Sequence, residues 1–168
     1  MAEWRTIGLT SIKVGAIAGD GGMGTSLAIL GKTAKGTAKL TTADPTVTDF
    51  FSEEDILPVE HSADAGATTF NFAIMDFAPA TLVKIFGGTA TGTGDTATWE
   101  APSQYAEIEL SLEITTKKGI IYAYPRVKIV AKFNVDFGST AIGMIDIIAT
   151  PLTPTKAGTA FCKISKAA

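Results

Sequence analysis

Ala106-Glu107-Ile108-Glu109-Leu110-Ser111-Leu112-Glu113-Ile114-Thr115 alternates with a period of two. Ile108, Leu110, Leu112 and Ile114 fall on one face, and Glu107, Glu109, Ser111 and Glu113 on the other. Successive side chains of a β-strand point to opposite faces, so the pattern predicts a strand with one buried face. Residues 120–137 repeat it: Val127, Ile129, Ala131, Phe133, Val135 and Phe137 oppose Arg126, Lys128, Lys132, Asn134 and Asp136. The turn between them lies at Thr116-Lys117-Lys118-Gly119. A loop of Lys117 and Lys118 sets Glu109 opposite Arg126 and Glu107 opposite Lys128, whereas a loop of Lys118 and Gly119 sets Glu109 opposite Lys128. Either register pairs opposite charges, and a slip of one residue would turn the apolar set to the wrong face. Pro125 has no N–H for a ladder and marks an edge or a bend.

Working outward, residues 140–149 and 159–165 are expected as further strands, separated by Pro151 and Pro154. Upstream, residues 67–75 place Phe70, Phe72 and Ile74 on one face and Thr69, Asn71 and Ala73 on the other. Residues 37–51 read as a strand interrupted at Asp44-Pro45, and residues 57–62 as another. Asp44 to Asp64 carries seven carboxylates and no Lys or Arg. This is either a solvated loop or a negative surface. Ser52-Glu53-Glu54-Asp55 lacks the alternating ligands and glycine turn of a calcium loop. One helix is expected: Pro79 suits its first turn, Leu82, Val83, Ile85 and Phe86 form its apolar face, and Gly87-Gly88 ends it. So short a helix must dock on the sheet. Residues 89–98, rich in Gly and Thr, read as a loop that is mobile or ordered by a neighbour.

Residues 1–35 read as an N-terminal arm: a strand over residues 7–18, then a glycine-rich loop, Gly19-Asp20-Gly21-Gly22-Met23-Gly24, with little core period after it. Gly31-Lys32-Thr33 lacks the upstream glycine of a phosphate loop. Residues 36–168 form the body, and the whole is a single domain. The expected fold is mainly β, an antiparallel sandwich or flattened barrel with one short flanking helix.

Composition narrows the function. The 168 residues suit one domain, and a 46% hydrophobic content excludes disorder. Charged residues are only 18%, which points to surface covered by self-association. A net charge of −3 with no basic stripe gives no bulk attraction for nucleic acid. Cys162 is the only cysteine, expected as a reduced thiol in a terminal strand, and His61 is the only histidine. They make neither a usual zinc site nor a catalytic pairing. Glu107, Glu109 and Glu113 form a ridge, not the facing pair of a glycosidase. No catalytic, cofactor or metal site is expected. No apolar run is long enough to span a membrane, and the first residues lack the order of a signal peptide. The expectation is synthesis in a cytoplasm, with exit only as part of a particle.

The succession Gly36-Thr37-Ala38-Lys39-Leu40-Thr41-Thr42, Phe51-Ser52-Glu53-Glu54, Phe72-Ala73-Ile74-Met75-Asp76, Phe86-Gly87-Gly88, Trp99-Glu100-Ala101-Pro102 and Thr150-Pro151-Leu152-Thr153-Pro154 resembles phage tail tube (major tail) proteins, particularly those of phages and prophages of gut Bacteroidetes. The resemblance spans nearly the whole chain, through the order of its blocks. It implies a β-sandwich with one flanking helix and no catalytic residues. It implies hexameric rings whose inner sheets merge into one barrel and stack into a conduit for DNA. Implied partners are other copies of the chain, a tape measure protein, a tail terminator and baseplate proteins, with no membrane. The implied location is the virion tail, assembled in the host bacterial cytoplasm. Related tubes serve contractile injection machines and type VI secretion. A DNA conduit should repel phosphate, so Asp49, Glu53, Glu54, Asp55, Glu107, Glu109 and Glu113 are candidates for a lumen or negative surface. Two other classes compete. Trp4, Trp99 and Tyr105 suggest a carbohydrate-binding sandwich, and a hollow interior would suit a lipocalin-like carrier.

Overall fold

The structure is a computed structural model that describes residues 4–167. The alternating segments form its longest central pair, β9 (Ile108–Thr116) and β10 (Ile120–Asn134). Their connection is three residues, Lys117-Lys118-Gly119, closed by the Gly119 N–H donating to the Thr116 carbonyl at 3.0 Å. Gly119 takes φ 76°, the left-handed conformation that the last residue of such a loop needs. Neither two-residue loop forms. Near the turn Tyr122 faces Ile114 and Tyr124 faces Leu112, a register midway between the two expected ones. A bulge at Pro125-Arg126 then inserts one residue, so that Val127 faces Leu110 and Lys128 faces Glu109. The proline thus joins two opposite parities. Tyr122 and Tyr124 before it, and Val127 and Ile129 after it, all reach the same apolar face. Ser111, fully buried, donates its hydroxyl to the Pro125 carbonyl at 2.7 Å and accepts the Gly24 N–H at 2.9 Å. The bulge therefore leaves no orphaned carbonyl there.

The other strands are β1 (Leu9–Gly15), β2 (Ala28–Ile29), β3 (Lys39–Thr42), β4 (Thr46–Phe50), β5 (Glu60–Asp64), β6 (Thr68–Ile74), β7 (Thr89–Thr91), β8 (Thr98–Glu100), β11 (Met144–Pro151) and β12 (Lys163–Lys166). The main sheet runs β2-β1-β9-β10-β11-β6-β3 and is antiparallel at every pairing. β12 lies beside the first half of β10 and β11 beside the second. Residues 28–34 join the two ends of this sheet. The Leu30 N–H bonds to the Ile12 carbonyl on β1, and the Ala34 N–H to the Ala73 carbonyl on β6. Thr33 bridges Ile74. The result is a flattened barrel, mainly β, as the periodicity predicts.

Its core is filled by Ile12 and Val14, Phe70, Phe72 and Ile74, Leu112 and Ile114, Tyr124, Val127 and Ile129, and Ile145, Ile147 and Ala149. Helix α1 (Pro79–Phe86) adds Leu82 and Ile85, and the chain leaves it at Gly87, whose N–H bonds to the Val83 carbonyl. Val83 and Phe86 are half-buried, with Phe86 stacked on Phe133 at 4.5 Å between ring centroids.

Several expectations change. Residues 89–98 are not a loose loop: β7 and β8 form a hairpin against α1, with the Thr91 and Thr98 hydroxyls 2.7 Å apart. The N-terminal segment is not a free arm, since β1 lies inside the sheet and Leu30 and Ala34 are buried. Its glycine-rich loop packs inward, Gly24 against Ser111 and Asp20 on Lys156 at 2.6 Å. Residues 37–51 divide into β3, in the main sheet, and β4, outside it, with the break at the expected Asp44-Pro45. The strand expected over residues 57–62 begins only at Glu60. β10 ends at Asn134, and Phe137 is exposed. Cys162 immediately precedes β12 and packs on the core beside Tyr124, whose phenol is pushed upward by burial and by the neighbouring thiol.

Candidate functional site

β4 and β5 form a two-stranded ribbon, with Val47 opposite Ala63, Asp49 opposite His61 and Phe50 opposite Glu60. Every residue of both strands is exposed, and neither strand touches another strand or the helix. The root is fixed by the Ala43 N–H bonding to the Ala67 carbonyl. A Cβ at position 66 would collide with the Ala43 carbonyl, which is why Gly66 stands there. At the tip, the Ser52 hydroxyl accepts the Asp55 N–H at 3.1 Å and donates to the Asp55 carboxylate at 2.8 Å. The tip is strongly apolar: Phe51 is 63% exposed, Ile56 96%, Leu57 75% and Val59 60%. A solitary two-stranded hairpin is marginal in water, and an exposed apolar tip of this size is a candidate contact surface.

The seven candidate acids do not come together. Asp49, Glu53, Glu54 and Asp55 lie on the ribbon, where the only basic side chain is His61, 2.6 Å from Asp49. Glu107, Glu109 and Glu113 belong to β9 and its approach, on the outer face of the barrel, and each meets a base. Arg126 grips Glu109 through two bonds of 2.8 and 2.9 Å. The same guanidinium holds the Glu109 carboxyl below the usual range and is itself raised. Lys128 lies 2.7 Å from Glu107, which raises the lysine, and Lys13 lies 3.2 Å from Glu113. Lys132 and Asp146 add a fourth pair at 3.7 Å. Each glutamate is thus matched by a base, and Lys163 of β12 stands in the same cross-strand row as Lys13 and Glu113, so these three glutamates do not extend the negative surface.

Among the described residues, no group of three or more His, Cys, Asp or Glu is placed to hold a metal ion. No buried side-chain polar atom among them lacks a partner. No helix among them is long and apolar enough to cross a membrane. Trp99 is committed to packing: its indole N–H donates to the Gly87 carbonyl at 2.9 Å, and its ring meets Phe86 and Phe133. Trp4 and Tyr105 stand exposed.

The charge signal of the ribbon is readable in the acid run itself. Its apolar tip is harder to see, because Phe50, Phe51, Ile56, Leu57 and Val59 follow neither a strand nor a helix period. A second feature lies at one end of the barrel, where a cleft of about 1450 Å³ opens between β1 and β3. No protein-family model matches the chain, and no curated protein matches it.

Proposed function

We propose that this protein is the structural subunit of a phage-type tail tube, assembling with its own copies into stacked hexameric rings that conduct DNA. The observation that carries the reading is the ribbon. The chain builds a hairpin that it does not pack, gives it an apolar tip, and fixes its root. Such a tip gains burial only from another molecule. Burying Phe50, Phe51, Ile56, Leu57 and Val59 gains about 10 kcal/mol before any cost. Association costs a similar amount in lost motion and ordering. One contact therefore gives a weak pair, and closure into a ring, where each subunit makes two, gives a stable one. The order of sequence blocks supports the same reading. Tape measure, terminator and baseplate proteins would be its partners in the virion tail.

Negative-stain images and sedimentation of the purified chain over a wide concentration range test this. Rings or tubes are expected. A monomer at every concentration, also when co-expressed with a tape measure protein and tail chaperones, overturns it.

A further inference from the structure

The cleft at the end of the barrel has what the ribbon tip lacks. Its wall carries apolar side chains, Leu9, Ile29 and Leu40 among them, with Ile29 exposed at 62%. It also carries Lys32, Lys35 and Lys117, all exposed. None of these lysines makes an ion pair among the described residues. Asp76 is the single carboxylate on the wall, and it is turned to the start of α1, accepting the Ala78 N–H and the Thr81 hydroxyl at 3.0 Å each. The cleft is thus apolar with an unneutralised positive rim. The ribbon is apolar at its tip with an unneutralised negative flank. Lys13, Arg126, Lys128, Lys132 and Lys156 are paired within the subunit, and of the lysines that are not, Lys32, Lys35 and Lys117 are the three gathered around this apolar cleft.

We propose that the β4–β5 ribbon of one copy seats in the β1–β3 cleft of the next, with Phe51, Ile56 and Leu57 against its apolar floor and Glu53, Glu54 and Asp55 facing Lys32, Lys35 and Lys117. This rests on the self-assembly reading and deepens it by naming the seat. The ribbon leaves the barrel between β3 and β6, and its strands touch no other element of their own subunit. The five paired residues of each strand span about 17 Å. The tip therefore reaches a neighbour rather than its own cleft. Ribbon and cleft are different patches, so the contact is head-to-tail: it makes a ring if the rotation closes and a filament if it does not. The facing charges fix orientation and choice of partner, while the apolar tip supplies most of the affinity.

A charge swap tests the seat. One variant carries Glu53→Lys, Glu54→Lys and Asp55→Lys. The other carries Lys32→Glu, Lys35→Glu and Lys117→Glu. All six positions are exposed, and circular dichroism and melting verify that each variant folds. Each variant alone should associate at least about 10-fold more weakly than the wild type, because like charges meet at every contact. Mixing the two should restore association, since the reversed ribbon then meets the reversed cleft and the natural ribbon the natural cleft. Raising NaCl from about 50 mM to about 500 mM should reduce the difference between variants and wild type. If the folded variants assemble as well as the wild type, or the mixture gains nothing over its components, the seat is wrong and another occupant fills the cleft. The tube reading survives that result. If the wild type itself never assembles, the tube reading fails, and the seat falls with it.

Discussion

The barrel and the ribbon treat the same kinds of residue in opposite ways. In the barrel, Ile74, Leu112, Val127 and Ile145 are completely buried. In the ribbon, the apolar side chains at residues 50–59 stand in solvent. Across the outer face of the barrel every carboxylate of β9 has a base beside it. Along the ribbon seven carboxylates have only His61 among them. The barrel satisfies its hydrophobic and electrostatic demands within one chain. The ribbon leaves both open. On the proposed reading, a region that is apolar, acidic and unpacked on a well-packed support serves a contact made after folding.

The comparison breaks first if the barrel is not a dry, packed core. Leu112 is at 0% exposure between β1 and β10. Leu112→Ala should cost about 3 kcal/mol, from the lost transfer energy and the cavity left behind. For a chain of this size that is a fall in Tm of roughly 6–12 °C by calorimetry. A loss below about 1 kcal/mol would mean the core is loose or can collapse around the gap.

The next effect comes from the bulge. Ser111→Ala removes the hydroxyl that serves both the Pro125 carbonyl and the Gly24 N–H. Two buried backbone groups lose their partner, and the expected cost is about 1–3 kcal/mol in denaturant unfolding. Hydrogen exchange at Gly24 should quicken at the same time. An unchanged Gly24 amide would show that the glycine-rich loop is held by something other than Ser111.

This bulge also shows how far the sequence could be read. Alternation identified β6, β9 and β10 and their buried faces, because a half-buried strand writes a period of two into its residues. It also marked Pro125 as irregular. It did not show that the turn takes three residues and that the proline bulge corrects the parity, since the two deviations offset each other and the outer half of the pairing looks regular. The closing segment over residues 28–34 was invisible for another reason. It pairs first with β1 and then with β6, so no single face stays buried long enough to leave a pattern. The β7–β8 hairpin is too short to show one. At the candidate site the acids were legible as composition. Their neutralisation was legible in part: the alternation already set Glu107 and Glu109 against Lys128 and Arg126, whereas Lys13 reaches Glu113 only because β1 lies beside β9, which no local pattern shows.

That neutralised face gives a smaller effect. Arg126 depresses the Glu109 carboxyl, so the carboxylate form is favoured in the folded state. A group depressed on folding adds stability above its unfolded pKa and loses it as pH falls through the folded value. The pair is partly exposed, with Glu109 at 33% and Arg126 at 27%, so solvent screens it and its contribution is small. Glu109→Gln should lower Tm slightly at neutral pH and progressively less at acid pH, as the pH falls through the folded value and the wild type loses the same contribution. An equal loss at neutral and acid pH would assign the effect to packing rather than charge.

The smallest expected effect on stability is the sharpest test of the contrast. Phe51→Ser, Ile56→Ser and Leu57→Ser together remove more apolar area than Leu112→Ala does. In the barrel such a loss would unfold the chain. On the ribbon tip these side chains are already in water, so the monomer should melt within about 0.5 kcal/mol of the wild type. Under the proposed assembly, self-association should fall sharply in the same protein, because the area lost is the area a second copy would bury. The two readouts must separate. If the triple variant melts as low as Leu112→Ala, the tip packs on its own barrel in solution, and the ribbon is one more element of the core rather than a joint between subunits.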